Sequence, residues 1–476
     1  GDISTATPPT GSNSFNDRYY PRYHLAPIQG WMNDPNGFCV FNNEYHLFYQ
    51  YNPNSSVQPG IALWGHAKSK DLFNWVDLGV AMDNNTAYDK DGVFSGSAVV
   101  ESGVMYLFYT AHVNLPGLTP DHHETQALAS STDGVRFTKY ANNPIISGED
   151  LQPDIRDPKV WKRGNDWYMV LGNSFIGQKL GRILLLKSPD KKNWEQVSIL
   201  DQSDGFLGYM WECPDFFEID GHHVLLFSPQ GVKPQGDKYK NLYQTGYIVG
   251  HFDYESNLFT PCTEFRELDH GHDFYATQTI LDNHGRRLLV AWMDMWERKY
   301  PEGKDGFTGQ MTLVRTLSLT EDFRLLQKPV KEVVLARANL RYIISGPACG
   351  TTSVTLSNKA GEVYIKASRK QDLILNIGTN SFSVQIKYEY LKGRVSLKRD
   401  DGEDGLRRTK YRPLTDLIIR IFIDASSIEV FFGEGEVTLS SRFFIDDPIS
   451  IWLAKGSAAE LMTVYNMKTT LYNSEE

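Results

Sequence analysis

"DPNGFCVFNNEYHLFYQYNP", residues 34 to 53, opens with polar residues, runs apolar, turns on Asn42-Asn43 and returns as alternating aromatic and aliphatic residues. That is the pattern of a β-hairpin. The same pattern recurs as "VFSGSAVVESGVMYLFYTAHV" from Val93, "RDPKVWKRGNDWYMVLGNSF" from Arg156, "WECPDFFEIDGHHVLLFSPQG" from Trp211 and "DFYATQTILDNHGRRLLVAWMD" from Asp273. With Asp34, Ser95, Asp157, Glu212 and Tyr275 as matching starts, the spacings are 61, 62, 55 and 63 residues. Five hairpin units at one period, with almost no helical periodicity, predict an all-β chain that begins with a five-bladed β-propeller, residues 16–325.

The flanks differ. Residues 1–15 are rich in Ser, Thr, Pro and Gly and read as a loose tail. "PVKEVVLARANLRY", Pro329 to Tyr342, has Pro near a first turn and apolar residues near helical spacing, which predicts a linker helix over 326–342. From 343 to 476 β-patterned segments return without the repeat, among them "EVYIKAS", "DLIIRIFID" and "SIEVFF", and predict a β-sandwich.

Composition narrows the function. With 476 residues, 41% hydrophobic and 22% charged, the chain is ordinary for a globular protein of several domains. A net charge of −10 argues against nucleic acid and anionic membranes as partners. No apolar run approaches the roughly 20 residues that span a bilayer. Cys39, Cys213, Cys262 and Cys349 are scattered without a C-x-x-C pair, so neither a zinc site nor a disulfide is expected. Two sequons, at Asn54 and Asn84, favour a secreted chain that has lost its leader. An aromatic content of 13% suits sugar-binding surfaces.

The repeat also orders the acids. Matching positions of successive blades face one axis, so Asp34, Asp157 and Glu212 should converge at one mouth of the channel. Close carboxylates repel, which raises the pKa of at least one. A glycosidase needs such a set, one acid attacking while another gives a proton to the leaving oxygen. Glu212, between Trp211 and Cys213-Pro214, has the less polar setting of a proton donor. Asp34, on a turn rich in amides, suits the ionised role. Calcium would need a ladder of nearby ligands that is absent here, and no metal is expected. His122-His123 beside Asp121 reads as a solvated loop. A non-catalytic, lectin-like propeller would explain the aromatics but not the three acids.

These residues resemble the motifs of glycoside hydrolase family 32, the invertases and inulinases. "WMNDPNG" is similar to the family's first motif, "RDP" to its second and "WECPD" to its third. "FYQYNP", "WGHAKSKDLFNW", "FSGSAV" and "DFYATQ" match in the same order, and "LDHGHDFYATQT" and "RRLLVAWM" look most like bacterial-type and insect sucrases. The resemblance implies a propeller with a C-terminal sandwich and a retaining β-fructofuranosidase acting on sucrose. Asp34 would be the nucleophile, Glu212 the acid/base and Asp157 the transition-state stabiliser. Asn33, Gln50, Ser95, Arg156 and Tyr275 would bind sugar, and Trp31, Trp64, Phe94 and Trp292 would form apolar walls. No cofactor is implied. Sucrose 6-phosphate and fructans are the rival substrates.

Overall fold

The computed structural model describes residues 15–472 apart from 149–151, 178, 400 and 401, so the tail read over 1–15 lies, except for Phe15, outside the described residues. The first hairpins form as their sequences require. Phe41 pairs with Glu44, Glu101 with Val104 and Ile219 with His222. Only two residues remain to turn each pair: Asn42-Asn43, Ser102-Gly103 and Asp220-Gly221. All six are left-handed, the conformation whose twist matches that of the flanking strands.

Each hairpin extends into an antiparallel sheet. The sheets start from the strands Gly30–Phe41, Gly92–Glu101, Ile155–Arg163, Met210–Ile219 and Tyr275–Leu281, and each adds later strands outward in chain order. These starting strands pack against one another in sequence, and the last packs against the first. The ring is tied by Phe307–Thr308, which pairs in parallel with Gly30-Trp31. Sheets set edge to centre around a closed ring make a propeller.

Each starting strand carries a β-bulge near its beginning. The ladder skips between Met32 and Pro35, Phe94 and Gly96, Arg156 and Lys159, Glu212 and Asp215, and Tyr275 and Thr277. Asp-Pro-Asn-Gly, read above as a tight turn, is therefore part of one twelve-residue strand with two bulges. Gly37 supplies a left-handed residue there (φ 58°), and a Cβ on it would lie 2.5 Å from Phe48.

Residues 326–342 do not form the expected linker helix. Leu325–Pro329 is a strand, Lys331–Ala336 a short 3-10 helix of two turns and Arg337–Cys349 a strand again. The buried residues are Val330, Val333 and Ala336, three apart, which fits three residues per turn rather than 3.6. Beyond Arg337 the chain instead pairs with Ala458–Met467.

The C-terminal part is a sandwich of two six-stranded sheets. Strands such as Gly361–Ala367 and Leu417–Asp424 place alternate residues in the sandwich, and Val363, Ile365, Ile419 and Ile421 are fully buried in one core, while Phe422 on the opposite face is buried in a second core shared with the propeller. The sandwich is fastened to the propeller by buried ions. Arg315, fully buried, donates to Glu429 (2.9 Å), Gln327 (2.8 Å), Ser440 (2.7 Å) and Asp269 (3.3 Å). Arg442 pairs with Asp294 and Glu302, and His24 bridges Asp424 and Glu429. Removing one member strands the others' charges. Arg315→Met is expected to lower the unfolding free energy by about 3–5 kcal/mol, read as a shift of the denaturant midpoint.

Candidate active site

The bulges re-aim side chains toward the axis, and here they build one pocket. Asn33, Asp34, Gln50, Phe94, Ser95, Arg156, Asp157 and Glu212 line a cavity of about 470 Å³ with His112, His122, Glu124, Asp154, Gln230, Tyr243, Trp296 and Glu297. Asp157 and Cys213 both take left-handed backbone (φ 65° and 49°), as does Ala276 (φ 60°) in the next sheet. Strained backbone of this kind costs energy and gathers at functional sites.

The register differs from the simple repeat by one residue in the fourth and fifth units. The bulged residues are Asp34, Ser95, Asp157, Cys213 and Ala276, whereas Glu212 and Tyr275 precede the bulge. Cys213 consequently stands between the two aspartates. Its thiol lies 3.4 Å from Asp34 Oδ2 and 3.5 Å from Asp157 Oδ2, and its N–H donates to Asp157 Oδ2 at 2.9 Å. Burial and the surrounding carboxylates hold the thiol protonated, so it serves as a donor. All four cysteines are free.

Asp34 is buried and accepts from Asn33 (3.2 Å), Ser95 (3.4 Å) and Cys213; Trp31 in turn donates to Asn33 Oδ1 at 3.0 Å. These side-chain bonds do not keep its pKa low, as the turn amides were expected to do. Burial, then the Glu212 charge, pushes Asp34 up to about 6. Burial and Glu212 raise Asp157 further, to about 8, against the pull of Arg156.

Glu212 does not sit in an apolar niche. Trp211 turns away to stack on Phe227 (centroids 4.1 Å apart), and the carboxylate accepts from Tyr275 Oη (2.6 Å), Arg156 Nε (2.8 Å) and Gln230 Nε2 (3.0 Å). Tyr275 thus acts from behind the pocket. Trp31, Trp64 and Trp292, expected as walls, are also one layer back. Trp64 donates to the Phe94 carbonyl (2.9 Å), while Trp31 and Trp292 pack on Trp296, which forms the wall itself. His122 is not in a solvated loop. It begins the strand His122–Ser131, stacks on His112 and bonds Asp154 at 2.8 Å. Gln230 and His112 were legible in principle: the second strand of an antiparallel hairpin ends where the first begins, so Gln50, His112 and Gln230 had to reach the same mouth.

A ring of sheets with buried, closely coupled carboxylates at one mouth has the site of an enzyme that cleaves glycosidic bonds by acid/base chemistry. Residues 24–329 match the family described as Glycosyl hydrolases family 32 N-terminal domain, and residues 335–468 match Glycosyl hydrolases family 32 C terminal. The chain belongs to glycoside hydrolase family 32 and is a glycoside hydrolase. It is 38% identical to a raffinose invertase of Escherichia coli over 92% of this chain and 93% of the other. A sucrose-6-phosphate hydrolase, also from Escherichia coli, is 40% identical over 90% of this chain and 89% of its own length. A mutant GH32 beta-fructofuranosidase of Bombyx mori, solved in complex with sucrose, superposes with a TM-score of 0.89 at 39% identity, covering 96% of each chain.

Proposed function

We propose that the protein is a retaining β-fructofuranosidase that hydrolyses sucrose to glucose and fructose, its five N-terminal sheets being the five blades of the propeller. The observation that carries this reading is the meeting of Asp34, Asp157 and Glu212 in one pocket, with a single thiol touching both aspartates. Asp34 attacks the anomeric carbon of fructose while Glu212 protonates the glycosidic oxygen. Glucose leaves and a fructosyl ester remains on Asp34. Glu212 then takes a proton from water, which attacks the same carbon and frees Asp34. Asp157 and Arg156 hold fructose hydroxyls with bonds that tighten in the transition state. Microscopic retention predicts that the β-anomer of fructofuranose appears first when hydrolysis is followed by NMR.

Charge favours sucrose over sucrose 6-phosphate. Among the described lining residues, Asp34, Glu124, Asp154 and Glu297, besides the proton-holding Asp157 and Glu212, face two cations, Arg156 and His122. A phosphate brought into that field meets an excess of like charge, which is costly. Sucrose is expected to show kcat/KM about tenfold or more above sucrose 6-phosphate. A product assay with sucrose, sucrose 6-phosphate, inulin and raffinose side by side tests both function and preference. Equal or better turnover of the phosphorylated sugar would reverse the preference, and no turnover of any fructoside would leave the binding-module reading. Secretion is proposed on the two sequons; Asn54 is exposed, whereas Asn84 Nδ2 is bonded to the Lys90 carbonyl at 2.7 Å, so a glycan is expected on Asn54 first.

A further inference from the structure

Beyond the three acids, the densest polar contacts at the mouth pass through Arg156. Its Nε donates to Glu212 Oε2 at 2.8 Å, and its Nη1 donates to Glu124 Oε1 and Asp154 Oδ1, each at 3.1 Å. A histidine stands behind each of the last two. His122 Nε2 lies 2.8 Å from the same Asp154 Oδ1, and its Nδ1 lies 2.6 Å from Asp121. His112 Nδ1 lies 2.9 Å from Glu124 Oε2, and its Nε2 lies 2.9 Å from Asn114. The rings of Phe94, His112 and His122 stack in a column, with centroids 4.2 and 5.4 Å apart. His122, Glu124 and Asp154 have the spacing of metal ligands, but Arg156 Nη1 already stands where a cation between the two carboxylates would.

We propose that His122 is a positioning residue for the proton donor: by sharing Asp154 with Arg156, it leaves the guanidinium free to hold Glu212 in place against the glycosidic oxygen. The inference rests on Glu212 being the acid/base. One oxygen of Asp154 accepts from both cations, so whatever His122 neutralises, Arg156 need not. The groups facing His122 are Asp121, Glu124, Asp154, His112 and Arg156. The hydrogen bond to Asp154, helped by Asp121 and against burial, raises His122 to about 9, so the ring is charged at neutral pH. Without that charge, Asp154 draws more strongly on the guanidinium it shares with Glu124, and Coulomb attraction pulls Arg156 toward Glu124 and Asp154. Glu212 then loses the donor on Oε2, while Tyr275 and Gln230 still hold Oε1, so the carboxyl can swing about that side. A displacement on the order of 1 Å in an acid/base group costs up to about a hundredfold in rate.

The test compares His122→Gln with the parent enzyme on sucrose and on an activated aryl β-fructofuranoside, whose leaving group needs little protonation. On sucrose, kcat is expected to fall about tenfold with KM nearly unchanged. The loss on the activated substrate should stay under about twofold. Removing a positive charge makes nearby carboxyls easier to protonate, so the alkaline limb of kcat/KM should move to higher pH. Asp154→Asn removes a negative charge at the same oxygen and should move that limb the other way; it keeps the proposal open to refutation if His122→Gln folds poorly. Equal losses on both substrates, or an alkaline limb that neither variant moves, would overturn it. Glu212→Gln run in parallel separates the causes. If that variant also fails to distinguish the two substrates, the acid/base reading itself is at fault. If it does distinguish them and His122→Gln does not, only the positioning role falls.

Discussion

Asp34→Asn is expected to lower kcat on sucrose by several orders of magnitude while raising the stability of the fold. The activity loss follows from the mechanism, since no covalent intermediate forms without the carboxylate. Asp157→Ala and Glu212→Ala should each lose activity on the same scale. The stability gain follows from linkage. Burial and the Glu212 charge raise Asp34 from 3.8 to about 6 in the folded protein. The folded state therefore holds a proton that the unfolded state has released, and stability falls as pH rises from 3.8 through 6. Above pH 6 the ionised group costs roughly 2–3 kcal/mol, which the neutral amide avoids. Thermal unfolding at pH 7.5 should show a higher Tm for Asp34→Asn than for the parent, and the gap should close at pH 4. Near-normal turnover in this variant would remove Asp34 from the mechanism. An unchanged Tm at pH 7.5 would show that the pocket's hydrogen bonds offset its desolvation.

Glu212→Gln carries the second large effect. The first step needs Asp34 ionised and Glu212 protonated, so kcat/KM on sucrose should be bell-shaped in pH. The acid limb reports protonation of Asp34, which burial raises above the ordinary Asp value even when Glu212 holds its proton. The alkaline limb reports the loss of the donor's proton. Asp157, raised to about 8 by burial and by Glu212, shares that titration, so the limb belongs to the set of acids rather than to one of them. In Glu212→Gln the donor cannot ionise, and its part of the alkaline limb should vanish. The loss should reach several orders of magnitude on sucrose and be far smaller on an activated aryl fructoside in the fructosylation step. A variant that keeps the parent's alkaline limb, or that loses the two substrates equally, would assign the proton to another group.

The strain in the pocket and its charge fit one another. Left-handed Asp157 and Cys213, a protonated thiol wedged between two aspartates, and two carboxyls raised by burial all cost stability. The buried ionic fastening around Arg315 and Arg442 instead ties the sandwich to the propeller, away from the three acids. Changes there should act on unfolding before they act on turnover, which separates the two groups of variants experimentally.

Much of this protein was determined by the sequence alone. Period-two alternation and two-residue turns are local, so Asn42-Asn43 and Asp220-Gly221 declare their hairpins without help from the rest of the chain. Repetition then places the starts of those hairpins around one axis, and that was enough to bring Asp34, Asp157 and Glu212 to one mouth. Only the tertiary structure decided how each strand bends once there. A bulge adds a residue on one strand against its partner, so it shifts register by one, and this put Cys213 rather than Glu212 opposite Asp157. Layering was hidden for a similar reason: Trp31 and Trp292 stand behind Trp296 because depth depends on neighbours distant in sequence. The six residues Lys331–Ala336 form two 3-10 turns, in which Val333 and Ala336, with Val330 just before them, are buried three residues apart. Charge state was the least legible of all. Asp34 has good donors beside it, yet burial next to another carboxylate outweighs them, and burial is a property only the folded chain has.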